Sequence, residues 1–359
     1  MDLRLVHYYP RALVGDGGCT YAVRGWAASV AKAGVKVLVA YDQSGTSAQD
    51  PEVDWKQLSP QRIQLRASRS FKSILDDADY LVLHSGWVFH NVQAAKAARS
   101  SNVPYLLTPH GAYDPHLLRR KRVLKRLWWT TLERGVVDHA AAIHIFFEEE
   151  RGHLERLGYA GNVIVAPNGV EIPEADRTET ARDYVLWMGR FDVYSKGLDV
   201  LLHALASIPA ESRPPTRLHG PDWRGGKERM LDLVHTLGLE QSVTIGPPLY
   251  GAAKWNALRN ARLYVFPSRW EAHGIAAAEA AGIGVPMVAT STSPFGRQLA
   301  QGGAALLADP DAGSLASAIV EGWSHDLEAM GQKARELVRD RFSWRAVTDS
   351  FLTQLRALS

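Results

Sequence analysis

The sequence predicts an α/β protein of two domains, each built around a parallel sheet. Its 359 residues suit two cores of roughly 150–200 residues each. Short β-rich runs alternate with amphipathic helical patterns, which is typical of parallel strands covered by helices on both faces. The alternation restarts after a Pro-Asn-Gly turn signal at residues 167–169. We therefore expect two similar domains rather than one large sheet.

The predicted elements follow this division. A polar stretch at 171–182 contains Pro173 and is typical of a linker. The domains are accordingly predicted at 1–168 and 169–342, and a terminal helix at 343–359 is expected to pack back on the first domain. Predicted strands occupy 3–8, 36–40, 80–84, 105–107, 142–146, 163–166, 184–188, 217–219, 243–245, 263–266 and 287–290.

Composition excludes several classes of protein. A hydrophobic content of 46% with 22% charged residues is that of a globular domain, which argues against disorder. Cys19 is the only cysteine, so no internal disulfide and no cysteine-based zinc site can form. A net charge of +3 does not require a nucleic-acid partner. Neither a signal peptide nor a long apolar run is evident, so we expect a cytoplasmic protein.

Ligands of open α/β sheets bind beyond the carboxyl ends of the strands, which directs attention to the loop and helix at 266–290. Glu271 lies in this loop, Gly274 opens a helix, and Glu279 follows in the early helical turns. A helix start offers N–H groups and a positive dipole end to an anion. The two carboxylates could bind hydroxyls of two parts of one ligand. The alternative is an alanine-rich packing helix with an acidic first half.

Two cations follow another predicted strand. The strand ends at Gly189, Arg190 and Lys196 lie in the loop, and Gly197 begins the next helix. Arginine can clamp two phosphate oxygens and lysine supplies a point charge, which is the pairing that a diphosphate needs. The alternative is a loop whose cations simply face water.

Two further loops carry candidate residues in the first half. Gly17 and Gly18 precede a helix, but the loop lacks the third glycine of a dinucleotide-binding fingerprint and the Gly-Lys-Ser/Thr of a P-loop. Asp42 follows the second strand, where a nicotinamide dehydrogenase would place an acidic residue. His110 follows a strand in the segment TPHGAY and is either structural or a donor to a ligand hydroxyl.

Taken together, these segments resemble the retaining GT-B glycosyltransferases of the glycogen-synthase and mannosyltransferase type, also termed glycosyl transferases group 1. The resemblance rests on the order of five pieces, namely GG at 17–18, PHG at 109–111, PNGV at 167–170, GR…KG at 189–197 and E…E at 271–279. It implies two Rossmann-like domains whose sheets face across a cleft, with the C-terminal helix crossing back. It also implies transfer of a sugar from a UDP- or GDP-sugar to a hydroxyl acceptor, without metal, cofactor or protein nucleophile.

The resemblance further implies roles for individual residues. Arg190 and Lys196 would bind the donor diphosphate and stabilise the leaving group. Glu271 would hold hydroxyls of the transferred sugar, Glu279 would hold the ribose, and His110 would touch the sugar near the reacting carbon. Catalysis would then come from positioning and charge stabilisation. The remaining donor contacts would be Gly17, Gly18, Gly189, His273, Gly274 and Ile275.

Two departures from the family pattern affect the donor site. His273 stands where the family usually has an aromatic residue, two positions after its first glutamate. A GG-x-x-E element commonly follows the next strand, whereas residues 291–299 read STSPFGRQL, with Gln298 in the place of the glutamate. Two alternatives stay open on the same scaffold, a sugar-nucleotide epimerase and a non-catalytic nucleotide-binding protein.

A basic helical pattern at 117–137 admits two interpretations. Leu124, Leu127, Trp128 and Leu132 recur at helical spacing, so the helix could pack on the sheet with its charges in water. It could also lie on the inner face of an anionic membrane, which would suit a glycolipid acceptor as well as polysaccharide or natural-product glycoside synthesis. The cations are Arg119, Arg120, Lys121, Arg122, Lys125 and Arg126.

Overall fold

The computed structural model describes residues 3–12, 17–43, 50–58, 69–119, 121–173 and 182–358. Arg120 of the basic segment and residues 174–181 of the predicted linker lie outside these ranges, as do residues 13–16 of the first loop. By contacts, the chain divides into two compact units. Unit 1 comprises Met1–Gly169 and Trp344–Ser359, and unit 2 comprises Val170–Ser343.

Unit 1 contains one parallel sheet in the described part of the chain. The strand order is β3-β2-β1-β4-β5-β6-β7, so the order reverses between β1 and β4. Val6 and Tyr8 of β1 face one buried cluster and Leu5 and Tyr9 face the other, which explains the continuous apolar runs. The strands are β1 (Arg4–Ala12), β2 (Lys36–Gln43), β3 (Asp54–Gln57), β4 (Tyr80–His84), β5 (Tyr105–Thr108), β6 (Ala142–Ile145) and β7 (Val163–Val165).

Helices cover both faces of this sheet. The predicted helix at 117–137 is divided, because α4 ends at Arg119 and Lys121 caps the next helix in a left-handed conformation with φ of 54°. A π-helical segment, Trp129–Glu133, then joins two α-helices. The helices are α1 (Gly18–Lys32), α2 (Arg69–Ser73), α3 (Phe89–Ser100), α4 (Pro115–Arg119), α5 (Arg122–Trp128), α6 (Arg134–Asp138) and α7 (Arg151–Arg156).

Unit 2 repeats the architecture with strand order β10-β9-β8-β11-β12-β13, again parallel. The order reverses between β8 and β11. The two sheets confirm the predicted α/β class. The elements are β8 (Val185–Met188), α8 (Leu198–Ser207), β9 (Thr216–His219), α9 (Gly226–Thr236), β10 (Val243–Gly246), α10 (Gly251–Arg259), β11 (Leu263–Phe266), α11 (Ile275–Gly282), β12 (Met287–Thr290), α12 (Pro294–Gln301), β13 (Leu306–Ala308), α13 (Ala312–Ser324) and α14 (Glu328–Phe342).

The last helix, α15 (Trp344–Arg356), belongs to unit 1 although unit 2 precedes it in the chain. Its buried face includes Phe351, whose ring lies 5.1 Å from the ring of Trp26 on α1. Trp344 lies so close to Gly25 and Gly169 that a Cβ at either glycine would meet the indole at 1.9 and 2.3 Å. Glycine at these two positions therefore lets the returning helix dock on the first sheet.

Candidate functional site

The reversal between β8 and β11 brings two of the predicted loops together in unit 2. A Cβ at Gly197, whose φ is 64°, would lie 1.9 Å from the carbonyl oxygen of Pro267. The backbone N–H groups of Arg269 and Trp270 donate to the carbonyl of Ser195 at 3.1 and 3.3 Å. The loops at 189–197 and 267–274 are thus fastened backbone to backbone.

A salt bridge joins the loop at 267–274 to the first turn of α8. The Arg269 guanidinium donates two hydrogen bonds to the Asp199 carboxylate, at 2.6 and 2.8 Å. The guanidinium carbon of Arg269 also lies 4.8 Å from the ring centroid of Tyr194. A bidentate pair restricts both side chains to one geometry. The loops therefore hold the functional side chains between them in fixed positions.

Lys196 and Glu271 meet at this junction. The Lys196 ammonium donates to Oε2 of Glu271, and the two side chains are 16% and 15% exposed. Arg190 is more exposed, and its guanidinium carbon lies 4.3 Å from the ring centroid of Trp223. The structure thus brings Lys196 and Glu271 together, while Trp223 positions Arg190 by cation–π contact. Trp223 has no local sequence signature that would mark it as part of the site.

The buried Glu279 has a half-buried partner that the sequence did not reveal. Its side chain is 4% exposed and accepts a hydrogen bond of 2.6 Å from the Lys254 ammonium on α10. Burial raises the pKa of Glu279, and the charge of Lys254 acts in the opposite direction. Lys254 lies 25 residues away on a different helix, so only the folded structure shows that it contacts Glu279.

Backbone geometry fixes the start of α11. Gly274 adopts φ of 86°, and a Cβ there would lie 2.4 Å from the ring of Phe266. Only glycine fits this turn, and Ile275 then opens the helix with N–H groups that have no carbonyl four residues earlier in the helix. Glu271 precedes these groups in the loop and Glu279 follows them on the helix.

The predicted donor contact at His273 has a different setting. Its side chain is 3% exposed, and its ring lies 5.9 Å from that of Phe295 and 6.1 Å from that of Phe342. Burial lowers the pKa of His273 to about 3, so the imidazole is neutral. The side chain is part of the core beneath the site, and any donor contact here would be made by the backbone.

The segment that replaces the family's GG-x-x-E element forms the start of α12. Ser293 caps this helix by accepting a hydrogen bond of 3.1 Å from the N–H of Gly296, and Pro294 occupies the first turn. Arg297 donates to the carbonyl of Ser291 at 2.6 Å. Gln298 is half-buried on the helix. Gly189, another predicted donor contact, follows β8 and donates to the carbonyl of His219 at 3.0 Å.

In unit 1, the predicted glycines come after β1 and His110 comes after β5, two strands that flank β4 in the sheet. Gly17 caps α1 with φ of 65°, and both Gly17 and Gly18 are exposed. His110 follows β5 with φ of 52°, which is uncommon for a residue other than glycine. Its Nε2 lies 3.0 Å from Nδ1 of His84, the last residue of β4.

The basic segment corrects one interpretation of the sequence. Leu124 and Leu127 are 59% and 61% exposed, and Val123 between the cations is 84% exposed. Their packing on the sheet is therefore excluded, although Leu132 does pack on the core. Lys125 lies 5.4 Å from the ring centroid of Trp87. α5 thus presents apolar tips and positive charges on the same exposed surface.

Two family models match this chain in succession. Residues 171–337 match the model described as glycosyl transferases group 1, and residues 17–169 match the glycosyl transferase 4-like domain. The chain belongs to the group 1 glycosyltransferases. The group 1 match lies within unit 2 and includes its whole sheet, and the 4-like match covers unit 1 from α1 to β7.

Curated relatives of this group 1 glycosyltransferase match over part of their length. The D-inositol 3-phosphate glycosyltransferase of Segniliparus rotundus is 30% identical over 58% of this chain and 50% of its own. The mannosylfructose-phosphate synthase of Agrobacterium fabrum is 32% identical over 47% and 39%, respectively. The phosphatidyl-myo-inositol mannosyltransferase of Mycobacterium leprae is 29% identical over 56% and 55%. The chain thus spans about half the length of the curated relatives it matches.

Solved structures share the fold over nearly the whole chain. Sucrose-phosphate synthase from Thermosynechococcus elongatus has a TM-score of 0.80 at 21% identity and covers 99% of this chain and 100% of its own. HepE of Anabaena, solved with UDP-glucose, has a TM-score of 0.79 at 17% identity, with the same coverage. These likenesses confirm the predicted GT-B fold.

No helix among the described residues is both long and apolar enough to span a bilayer. The described ranges likewise contain no group of three or more histidine, cysteine, aspartate or glutamate side chains arranged to hold a metal ion. Metal-independent transfer stays a prediction.

Proposed function

We propose that this protein is a retaining glycosyltransferase that moves a sugar from a nucleotide-diphosphate-sugar to a hydroxyl acceptor. The observation that carries the proposal is the Lys196–Glu271 pair at the strand reversal of unit 2, directly before the start of α11. Ligands of such sheets bind at this reversal. A cation, a carboxylate and a helix N-terminus together match a diphosphate attached to a sugar.

The donor diphosphate would lie between Lys196, Arg190 and the N-terminus of α11. Glu271 balances the half-buried charge of Lys196 and holds it in place. A bound diphosphate supplies a second anion for Lys196, while the Glu271 oxygens can still accept hydrogen bonds from sugar hydroxyls. Charge that develops on the departing phosphate is then met by groups that are already positioned, which is the source of rate enhancement.

The nucleoside would be held by the buried pair on α10 and α11. An ionised carboxylate only accepts hydrogen bonds, and ribose hydroxyls donate them. Lys254 favours the ionised form of Glu279 and restricts it to one orientation, through the 2.6 Å hydrogen bond. The pair would therefore bind the ribose hydroxyls without contacting the base.

The relatives indicate which donors and acceptors to try first. HepE was solved with UDP-glucose, and the named relatives include a synthase of sucrose phosphate and a transferase acting on inositol 3-phosphate. We propose a UDP- or GDP-sugar donor and rank phosphorylated polyol and sugar acceptors first. Retention follows from a mechanism in which the acceptor oxygen bonds to the anomeric carbon on the same face from which the phosphate leaves. The bond from that carbon to the phosphate oxygen breaks, the leaving phosphate accepts the acceptor proton, and no protein nucleophile takes part.

The proposal is tested by incubating the protein with UDP- and GDP-sugars and a panel of hydroxyl acceptors that includes inositol phosphates and hexose phosphates. We expect acceptor-dependent release of one nucleoside diphosphate, and an α-linked product from an α-linked donor by proton NMR. Glu271→Gln should lower kcat at least about 100-fold, whereas the exposed control Glu336→Gln should not.

Each alternative gives a different result in this assay. A β-linked product would contradict retention. Interconversion of the nucleotide sugar without acceptor would indicate an epimerase. Nucleotide binding without turnover of any nucleotide sugar would indicate a binding protein. Inhibition by chelators, with rescue by a divalent ion, would contradict metal independence.

We also propose that α5 contacts an anionic membrane surface. Val123, Leu124 and Leu127 are exposed beside Lys121 and Arg122, and lipid acyl chains and anionic headgroups complement these two kinds of side chain. Each cation near such a surface contributes about 1 kcal/mol. The exposed cations of this surface are Arg119, Lys121, Arg122 and Arg126. The half-buried Lys125 ammonium instead donates to the carbonyl of Leu117.

Vesicle co-sedimentation tests the membrane proposal. We expect binding to phosphatidylcholine vesicles that contain phosphatidylglycerol, and weak binding without it. Reversal of Lys121, Arg122 and Arg126 to glutamate should lower binding at least about tenfold. The control reverses three exposed cations of α14 instead, Lys333, Arg339 and Arg341. Equal loss in both variants, or no binding by the wild type, would contradict the proposal.

A further inference from the structure

Three imidazoles form a continuous hydrogen-bonded chain in unit 1. Nδ1 of His7 on β1 lies 3.0 Å from Nε2 of His84, and Nδ1 of His84 lies 3.0 Å from Nε2 of His110. His7 and His84 are 2% and 1% exposed. The chain exists because β1, β4 and β5 are adjacent in the sheet. It connects the buried sheet interior to the loop that carries His110.

The buried members of this chain are neutral. Burial lowers the pKa of His7 to about 3 and that of His84 well below its ordinary value, and nearby imidazoles act in the same direction. A neutral imidazole has one N–H donor and one bare acceptor nitrogen. Each 3.0 Å contact needs one of each. Only two arrangements keep both hydrogen bonds when all three rings are neutral, with the protons all on Nδ1 or all on Nε2.

The buried end of the chain distinguishes these arrangements. Among the described residues, Nε2 of His7 has no hydrogen-bond partner. The neighbouring His144 is engaged elsewhere, since its Nε2 lies 2.8 Å from the carbonyl of Ala166 and its Nδ1 3.1 Å from Thr108 Oγ1. Protons on Nε2 would leave a buried N–H of His7 without an acceptor. Orphaned buried N–H groups are rarer than under-satisfied acceptors, so the Nδ1 arrangement is favoured.

We propose that His7 and His84 are positioning residues that fix His110 as a neutral imidazole with its proton on Nδ1. His84 then donates to Nε2 of His110, which removes that nitrogen as a general base. In this arrangement the Nδ1–H of His110 is a hydrogen-bond donor, the kind of group from which a sugar or phosphate oxygen accepts. The ligand contact rests on the proposed function, whereas the proton position does not.

The proton position is measured by NMR of protein labelled with ¹⁵N in its histidine rings, at pH 8 and without substrate. The His110 signals are assigned by their loss in His110→Asn, because asparagine tolerates the positive φ. We expect a protonated Nδ1 and a bare Nε2 for His110, and the same pattern for His7 and His84. A proton on Nε2 of His110 in the wild type would overturn the proposal.

Two variants of His84 test whether the chain sets this state. His84→Leu removes the donor, so His110 should populate both tautomers. His84→Gln retains an N–H donor and should restore the Nδ1 form, which a purely space-filling role would not do. An unchanged His110 spectrum in His84→Leu would overturn the positioning role. Because no step needs a nucleotide sugar, failure of glycosyl transfer leaves this result standing, and the reverse holds too.

Discussion

Lys196 and Glu271 are 75 positions apart in sequence and are joined because each follows a strand at the reversal of the second sheet. The family resemblance predicted both residues as parts of one donor site. The residue pattern alone showed only that each follows a strand, because strand ends are visible as apolar runs that finish at a glycine or proline. Their direct ion pair was not predictable, since it depends on how two loops fold against each other.

Lys254 and Trp223 show the limit of residue-by-residue prediction. Each contacts a predicted site residue, Glu279 or Arg190, from a separate element. Trp223 lies in the loop after β9, but a tryptophan there carries no recognisable motif, and Lys254 lies inside α10 rather than after a strand. Their roles are set by packing between elements, which a single sequence does not encode in any short window.

The buried Lys254–Glu279 pair makes a pH-dependent prediction. Burial raises the folded pKa of Glu279 above its unfolded value of about 4.5, and Lys254 limits the rise. Without Lys254 the pKa rises further, so stability is lost as pH increases from the unfolded value through the folded one. Lys254→Met should therefore lower the free energy of unfolding by about 2–3 kcal/mol at pH 8. The loss at pH 5 should be smaller.

Thermal unfolding at the two pH values measures this difference. The matched control is Lys254→Met combined with Glu279→Gln, which removes both charges and should recover most of the loss at pH 8. An equal loss at both pH values would show that Lys254 stabilises through packing of its aliphatic stem rather than through charge.

At the scale of elements, most strands were predicted within a residue or two, but β3 and β13 were missed. β3 is an edge strand of four residues, of which all but the half-buried Trp55 are exposed, so it lacks the apolar run of its neighbours. β13 has three residues, which is too few for a clear period. The division of the helix at 117–137 was also missed, because left-handed Lys121 has a residue type common inside helices.

The junction of α8 with the loop at 267–274 makes a prediction about glycine. Gly197 and Gly238 have nearly equal φ values of 64° and 63°, but only at Gly197 would a Cβ strike backbone, namely the Pro267 carbonyl. Gly197→Ala should lower the free energy of unfolding by at least about 3 kcal/mol, and Gly238→Ala by about 1 kcal/mol, from the positive φ alone. Thermal unfolding compares them directly, and equal losses would contradict the close approach.

At the scale of the whole molecule, the chain passes from unit 2 to unit 1 at residues 343–344. Phe342 is buried against His273 and Phe295, whereas Phe351, nine positions later, is buried against Trp26 and His144. The resemblance to GT-B enzymes predicted this return, because a helix after a completed core must cover apolar surface elsewhere. The local sequence pattern alone could not have predicted which surface of unit 1 this helix covers.

Because the chain crosses between the units here, two similar substitutions should destabilise different units. Phe351→Ala should destabilise unit 1 by about 3–5 kcal/mol and speed amide hydrogen exchange in β1, α1 and β7. Phe342→Ala should instead speed exchange in α11 and α12 of unit 2. Hydrogen exchange followed by mass spectrometry measures both variants. Faster exchange in unit 2 for Phe351→Ala would contradict the assignment of α15 to unit 1.

The most direct test of the donor site is calorimetry of UDP, GDP, ADP and NAD binding to the wild type and to Arg190→Ala/Lys196→Ala. The account predicts binding of UDP or GDP, weakened at least about 100-fold in the double variant, since each charge-assisted hydrogen bond is worth about 1.5–3 kcal/mol. The control Lys333→Ala removes an exposed cation of unit 2 and should bind normally. Binding of NAD alone, or equal nucleotide affinity in the double variant, would contradict a nucleotide-sugar site at these residues.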